Sequence, residues 1–181
     1  MRALWLIPAL SAICGFASAT TLEQLPLPEM ARQSTSILRA KVLGASGVRK
    51  GSDVYTVYRL EVAEDWKRPL DRTASRTQEV AVPGGIAGGL RQMVAGAPQL
   101  RTGGDYLLFL WTGRSGVTQV IGLSQGLFGV GLNSHGEWMA NRAAAAEAML
   151  DAKGRPVKDE PISLKLSELK AQVARALQEA R

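Results

Sequence analysis

The feature that most constrains the fold is a long alternation of side chains over residues 54–66. Mainly apolar residues occupy every second position, while Arg59 and Glu61 fall on the opposite face, as is typical of a half-buried strand. Strands of this length twist and curl, because most strands are only about five or six residues long. A curled strand can serve two sheets or close a barrel, so the alternation predicts a strongly curved sheet.

Further short strands are predicted on both sides of this segment. Residues 106–111 form a continuous apolar run, which is typical of a central strand covered on both faces. Residues 44–53 are glycine-rich and basic and are predicted to be a loop. The pattern favours a small closed or partly open β-barrel over a sandwich. The other predicted strands are residues 36–43, 79–82, 90–94, 118–123, 127–132 and 137–139.

Helices are expected only near the two ends of this β region. A short one is predicted at residues 28–33, where Pro28 suits a first turn. The alanine-rich residues 143–150 favour a helix by composition. A final helix carries apolar residues at helical spacing, namely Leu166, Leu169, Val173 and Leu177. The chain is therefore divided into a β-barrel domain at 20–140 and a helical C-terminal extension at 141–181, packed on the barrel.

The first nineteen residues have the pattern of a secretory signal peptide. Arg2 precedes an apolar run, and small residues end it before Thr20, where cleavage is expected. The chain's single cysteine, Cys14, lies inside this segment, so the mature protein is expected to be disulfide-free. We expect export, to the periplasm or beyond the cell. No later stretch is apolar enough to span a membrane.

A net charge of +6 makes the chain mildly basic. Export argues against nucleic acid as the partner, which leaves a secreted protein or an anionic glycan. Because no run of five like charges occurs, the composition favours a solvated, mildly basic surface over a charge-driven binding site.

The sequence contains no recognisable catalytic, cofactor-binding or metal-binding motif. The only histidine, His135, lies in an Asn-Ser-His-Gly turn, and the expected mature chain has neither a second histidine nor a cysteine to complete a usual metal site. No nucleophile elbow accompanies it, so a hydrolase is disfavoured. The glycines of residues 83–89 lack the pattern of a phosphate loop and are interpreted as turns.

The sharpest binding hypothesis concerns the end of the long strand. Trp66, Lys67 and Arg68 combine an aromatic ring with two cations, a combination used to hold glycans or protein partners. The alternative is that Trp66 simply covers one end of the barrel.

Four short motifs occur along the chain: Val-Pro-Gly-Gly at 82–85, Gly-Ala-Pro at 96–98, Gly-Asp-Tyr followed by Phe-Leu within 104–110, and Gln-Gly-Leu-Phe at 125–128. Together they resemble a family of exported bacterial proteins that has no assigned function. The resemblance extends over about residues 22–180, and Arg68 stands where the family usually has glycine. The matching residues are Val82, Pro83, Gly84, Gly85, Gly96, Ala97, Pro98, Gly104, Tyr106, Phe109, Leu110, Gln125, Gly126 and Phe128.

A more distant similarity connects residues 37–42 to the first strand of tissue inhibitors of metalloproteinases. It implies an OB-like or netrin-like barrel. That family acts through an N-terminal cysteine, and the expected new end at Thr20 has none, so the inhibitory mechanism does not carry over. Together the sequence predicts an exported, non-enzymatic binding module, with a partner or inhibitor of a secreted protease as the alternative and a hydrolase as a third.

Overall fold

The structure, a computed structural model, describes residues 21–69 and 75–179. The predicted signal peptide and Cys14 lie outside these residues. The described chain is mainly β, as the sequence predicts, with a short N-terminal helix and one helix near the C-terminus. The elements are β1 (Thr21–Glu23), α1 (Leu27–Gln33), β2 (Ser36–Lys50), β3 (Asp53–Lys67), β4 (Thr77–Pro83), β5 (Gly85–Ala87), β6 (Leu90–Gln92), β7 (Asp105–Thr112), β8 (Thr118–Val120), β9 (Leu127–Leu132), β10 (Trp138–Arg142), β11 (Ala148–Leu150), β12 (Pro156–Val157), β13 (Ile162–Lys165) and α2 (Leu166–Gln178).

The main sheet is antiparallel and open. Its strand order is β13-β10-β9-β7-β2-β3-β4, and β8 pairs with β7 next to β9. Three register shifts bend the β2–β3 ladder, and the curl brings β8 close to β4 without a hydrogen-bonded pairing between them. The sheet is curved as predicted, but it does not close, and the OB-like barrel is not confirmed.

The hairpin of β2 and β3 is longer than the sequence suggests. The composition of residues 44–53 predicts a loop, but β2 continues through residue 50, and Gly51-Ser52 makes the turn. That prediction is wrong because pairing with β3 extends the strand in spite of its glycines.

The apolar run in β7 is covered on both faces, which confirms its predicted central position. Leu107 and Phe109 join a core beneath the two helices, and Leu108 and Leu110 join a second core in the concave face. We call the first the helix-side core and the second the concave core. Within the helix-side core the ring centroids of Phe109 and Phe128 are 5.8 Å apart.

The final helix is confirmed, but the predicted helix at 143–150 is wrong. Ala148–Leu150 form β11, which pairs in parallel with β1. Upstream of it, the backbone N–H of Ala145 donates to Asp159 Oδ2 (2.8 Å), so a side chain takes a donor that a helix would use. Asp159 is itself buried and paired with Arg142 (2.7 Å).

The C-terminal region shares the main sheet. β10 crosses position 140, and β13 adds a further strand at its edge. The helical part is α2, whose residues Leu166, Leu169 and Val173 are buried in the helix-side core.

Candidate functional site

The structure separates the three residues that the sequence grouped as a binding tip. Trp66 is half-buried against the helix-side core. Lys67 turns to α1 instead: its Nζ donates to the backbone carbonyls of Ala31 (3.0 Å) and Arg32 (2.8 Å), and burial lowers the pKa of this amine. Arg68 is exposed, and its Nε donates to Asp65 (2.7 Å). The role of these residues in partner binding stays a prediction, and only Trp66 borders the site described next.

That site is a cleft of about 640 Å³ between the first turn of α2 and the sheet. It forms because β13 runs directly into α2 at Leu166, so that the first turn of the helix lies beside Arg39 of β2, Glu64 of β3 and Trp138 of β10. We call it the α2 cleft. Its lining residues are Arg39, Glu64, Glu137, Trp138, Lys165, Leu166, Ser167 and Lys170.

Arg39, on β2, is fixed from three sides. Its Nη2 lies 2.7 Å from Asp105 Oδ2, and its Nη1 lies 3.2 Å from Glu64 Oε1. The hydrogen bonds to Asp105 raise the pKa of the guanidinium, which stays charged. The guanidinium carbon also lies 4.2 Å from the ring centroid of Trp138, a cation–π distance.

Glu64, on β3, connects the sheet to α2. It accepts hydrogen bonds from Lys170 Nζ (2.7 Å) and from Trp66 Nε1 (3.0 Å), besides the one from Arg39. The bond from Lys170 contributes most, and together these donors lower the pKa of Glu64 to about 2. Lys170 also lies 5.5 Å from the ring centroid of Trp66.

A separate ion pair, between Lys165 and Glu137, also lines the cleft. Lys165 Nζ lies 2.6 Å from Glu137 Oε1, and this bond lowers the pKa of Glu137 and raises that of Lys165. Every cation that lines the cleft therefore has a carboxylate partner. The three cations Arg39, Lys165 and Lys170 face two lining carboxylates, and Asp105, which pairs with Arg39 from outside the lining, balances the third charge.

Trp138 supplies the apolar part of the cleft. Its side chain comes from β10, and the residue is 45% exposed, although Ala140, two positions along the same strand, is fully buried. Ala140 packs in the helix-side core, whereas the indole of Trp138 is covered on one side by the guanidinium of Arg39 and stays partly exposed in the cleft.

The carboxyl groups of the cleft are poorly suited to act as general acids. A general acid at neutral pH needs a carboxyl group whose pKa is raised, and the pKa values of Glu64 and Glu137 are both lowered. His135 is exposed in its turn, with Ser134 Oγ 3.4 Å from its Nδ1. No cluster of metal-ligating side chains occurs among residues 21–69 and 75–179. None of the helices in that part of the chain is both long and apolar enough to cross a membrane.

Sequence reasoning missed the residues that build the cleft. Arg39, Glu64, Trp138 and Lys170 lie on four different elements, and no local spacing joins them. The only signal was that Arg39 and Glu64 are charged residues within predicted half-buried strands.

The motif residues behind the family resemblance have structural roles. Gln125 is buried, accepts a hydrogen bond from the N–H of Leu25 and donates one to the carbonyl of Glu23, so it fixes the N-terminal segment. A side chain at Gly126 would lie 2.8 Å from the carbonyl oxygen of Ile121, which only glycine avoids.

Compared with protein-family models, with curated proteins and with solved structures, the chain gives no significant match in any of the three comparisons. Neither the family resemblance nor the similarity to metalloproteinase inhibitors is tested by these comparisons, and both stay predictions.

Proposed function

We propose that the chain is an exported, non-enzymatic binding module whose α2 cleft takes a neutral, hydroxyl-rich ligand such as an oligosaccharide. The observation that carries the proposal is the half-exposed indole of Trp138 surrounded by charge-balanced donors and acceptors. An indole offers a flat apolar surface to the C–H face of a sugar ring. The predicted signal peptide supports a periplasmic or extracellular location for such a module.

The balance of charge favours a neutral ligand over an anionic glycan. An anion at Arg39, Lys165 or Lys170 would be repelled by a carboxylate that already lies within 3.2 Å of each cation and neutralises its charge. A hydroxyl group can instead accept from a cation and donate to its carboxylate at the same time, so the pairs stay intact.

The ion pairs contribute little to holding α2 in place. Lys165 and Lys170 have side chains about half exposed, 47% and 55%, and exposed pairs of this kind contribute little to the stability of a fold because solvent screens them. Burial of Leu166, Leu169 and Val173 attaches the helix by a much larger margin. A role in ligand binding accounts for the arrangement of charge better than stability does.

Titration with neutral oligosaccharides tests the proposal. Cellohexaose, maltohexaose and chitohexaose are added to the protein, and tryptophan fluorescence and calorimetry report binding, with a heparin hexasaccharide as the anionic comparison. We expect at least one neutral sugar to bind, and Trp138→Ala to weaken binding by about tenfold or more because it removes the stacking surface.

Trp111→Ala is the matched control, since Trp111 is exposed to nearly the same extent (46%) and does not line the cleft. Its affinity should equal that of the unchanged protein. Binding of heparin alone, or equal losses in the two variants, would show that the cleft is not the site.

A further inference from the structure

A second surface lies on the small hairpin of β5 and β6, away from the α2 cleft. This hairpin packs on the pair of strands β2 and β3, which we call the ribbon, in the half that contains the turn at Gly51-Ser52. A side chain at Gly47 of β2 would overlap the carbonyl oxygen of Ile86, and one at Gly85 would overlap Thr56. The hairpin is therefore seated closely on the ribbon, with backbone against backbone at Gly47 and with the backbone of Gly85 against the side chain of Thr56.

Its inner face is also held by a side chain. Gln92 Oε1 accepts a hydrogen bond from the N–H of Val54 (2.7 Å). Ile86 and Arg91 are directly opposite each other in the β5–β6 ladder, one position out of phase with Gln92. Because side chains alternate along a strand, Ile86 and Arg91 share the outer face.

The hairpin exposes an unusual amount of apolar surface. Ile86 is 67% exposed, Leu90 is 42% exposed and Met93, just after β6, is 83% exposed. Met93 follows Arg91 with the same phase and lines the same hollow as Ile86, whereas Leu90 has the phase of Gln92. Single exposed apolar residues are ordinary, but Ile86 and Met93 together form a patch of the kind found at interaction sites.

A hollow of about 330 Å³ lies beside this patch. Ile86, Arg91 and Met93 line it together with residues of the concave core, Tyr58 and Val82. Its volume is at the lower end of the range for ligand sites, which suits one or two inserted side chains.

The cations around the hairpin are unpaired, in contrast to those of the α2 cleft. Arg49, Lys50 and Arg91 are exposed, and none forms an ion pair with a residue that the structure describes. The side chain of Arg49 reaches the hairpin turn, where its Cδ would lie 3.8 Å from a Cβ at Gly88. Asp53 is the one carboxylate on this end of the ribbon.

We infer that this hairpin is a docking surface for a protein segment that carries a bulky apolar side chain flanked by carboxylates. The apolar side chain enters the hollow, and the carboxylates pair with Arg49, Lys50 and Arg91. The hollow favours a protein over an anionic membrane, because a membrane-inserting loop is convex, whereas a hollow receives a side chain. The inference is independent of the α2 cleft and its ligand.

The test is a titration of the isotope-labelled protein with a synthetic peptide in which Leu-Phe is flanked by glutamates on both sides. We expect amide shifts concentrated at residues 84–94 and an affinity that falls with added salt. Replacing the glutamates by lysines, or Leu-Phe by Ser-Ser, should each weaken binding by about tenfold or more.

The variants Ile86→Ser and Met93→Ser should lose binding to a similar extent, and their exposed positions keep the fold intact. Leu132→Ser, at an apolar residue 59% exposed on another strand, is the matched control and should bind normally. Three results would overturn the inference: no shifts in the hairpin, equal binding of the lysine peptide, or sedimentation with phosphatidylglycerol vesicles but no response to the peptide.

Discussion

The α2 cleft and the β5–β6 hairpin both combine apolar and charged side chains, but they use charge in opposite ways. In the cleft Arg39, Lys165 and Lys170 each lie against a carboxylate, whereas Arg49 and Arg91 at the hairpin have no such partner among the described residues. A balanced surface selects ligands by shape and hydrogen bonding, and an unbalanced one attracts opposite charge from a distance. The net charge of a chain therefore says little about its ligands until its distribution is known.

The largest effect is expected from removing the apolar support of the cleft wall. Leu169→Ala deletes a fully buried side chain of α2, and the cavity should lower the free energy of unfolding by about 2–5 kcal/mol. At temperatures where the variant is still folded, sugar binding at the α2 cleft should be weakened. Peptide binding at the β5–β6 hairpin should be unchanged. Chemical denaturation measures the loss, with Gln172→Ala on the exposed side of α2 as the control. A loss below that of the control would mean that polar contacts hold the helix.

Gly47→Ala should have the converse effect. The new methyl group would overlap the carbonyl of Ile86, so the β5–β6 hairpin must shift, at a cost of about 1–3 kcal/mol. Amide spectra should change at residues 84–94, and peptide binding should weaken, with sugar binding unchanged.

Gly44→Ala is a matched control on the same strand, because nothing lies within 4 Å of the position that its methyl group would occupy and its backbone is not left-handed. It should leave the hairpin spectra as they are. If both glycine variants disturb the hairpin alike, the close seating on β2 is not what orders it.

The smallest effect concerns Glu64, whose pKa is lowered to about 2. Because this pKa is lower than the value of 4.5 expected in the unfolded chain, the ionised carboxylate stabilises the fold at any pH above about 4.5. That contribution is lost as the pH falls from about 4.5 toward 2. Glu64→Gln should therefore reduce stability at pH 7 by about 0.5–1 kcal/mol, because its partners are partly exposed. The difference from the unchanged protein should shrink between about pH 4.5 and 2.

Thermal unfolding across this pH range gives the measurement. Glu61→Gln, at an exposed carboxylate with no ion pair to the described residues, should show no such convergence. If the stability of the two variants changes with pH in the same way, Glu64 does not take part in the ion-pair network of the cleft.

Patterns within one element could be read from the sequence, and contacts between elements could not. The alternation of β3, the apolar run of β7 and the stripe of α2 each follow from one local periodicity. The predictions for two segments are wrong because residues outside each segment decide its conformation. Pairing with β3 makes residues 44–50 a strand. The carboxylate of Asp159 binds the backbone of residues 143–147 at Ala145. Glu64 and Lys170 are 106 positions apart, so no local pattern could bring them together in the cleft.

The attachment of the N-terminal segment has a consequence for how the chain folds. Glu23 is held by Gln125, 102 positions later, and β1 pairs with β11, which is later still. Contacts of such long sequence separation form slowly, since a large loop must close first. We therefore expect β1, although it comes first among the described strands, to be among the last of them to become ordered, after Gln125 and β11 are in place.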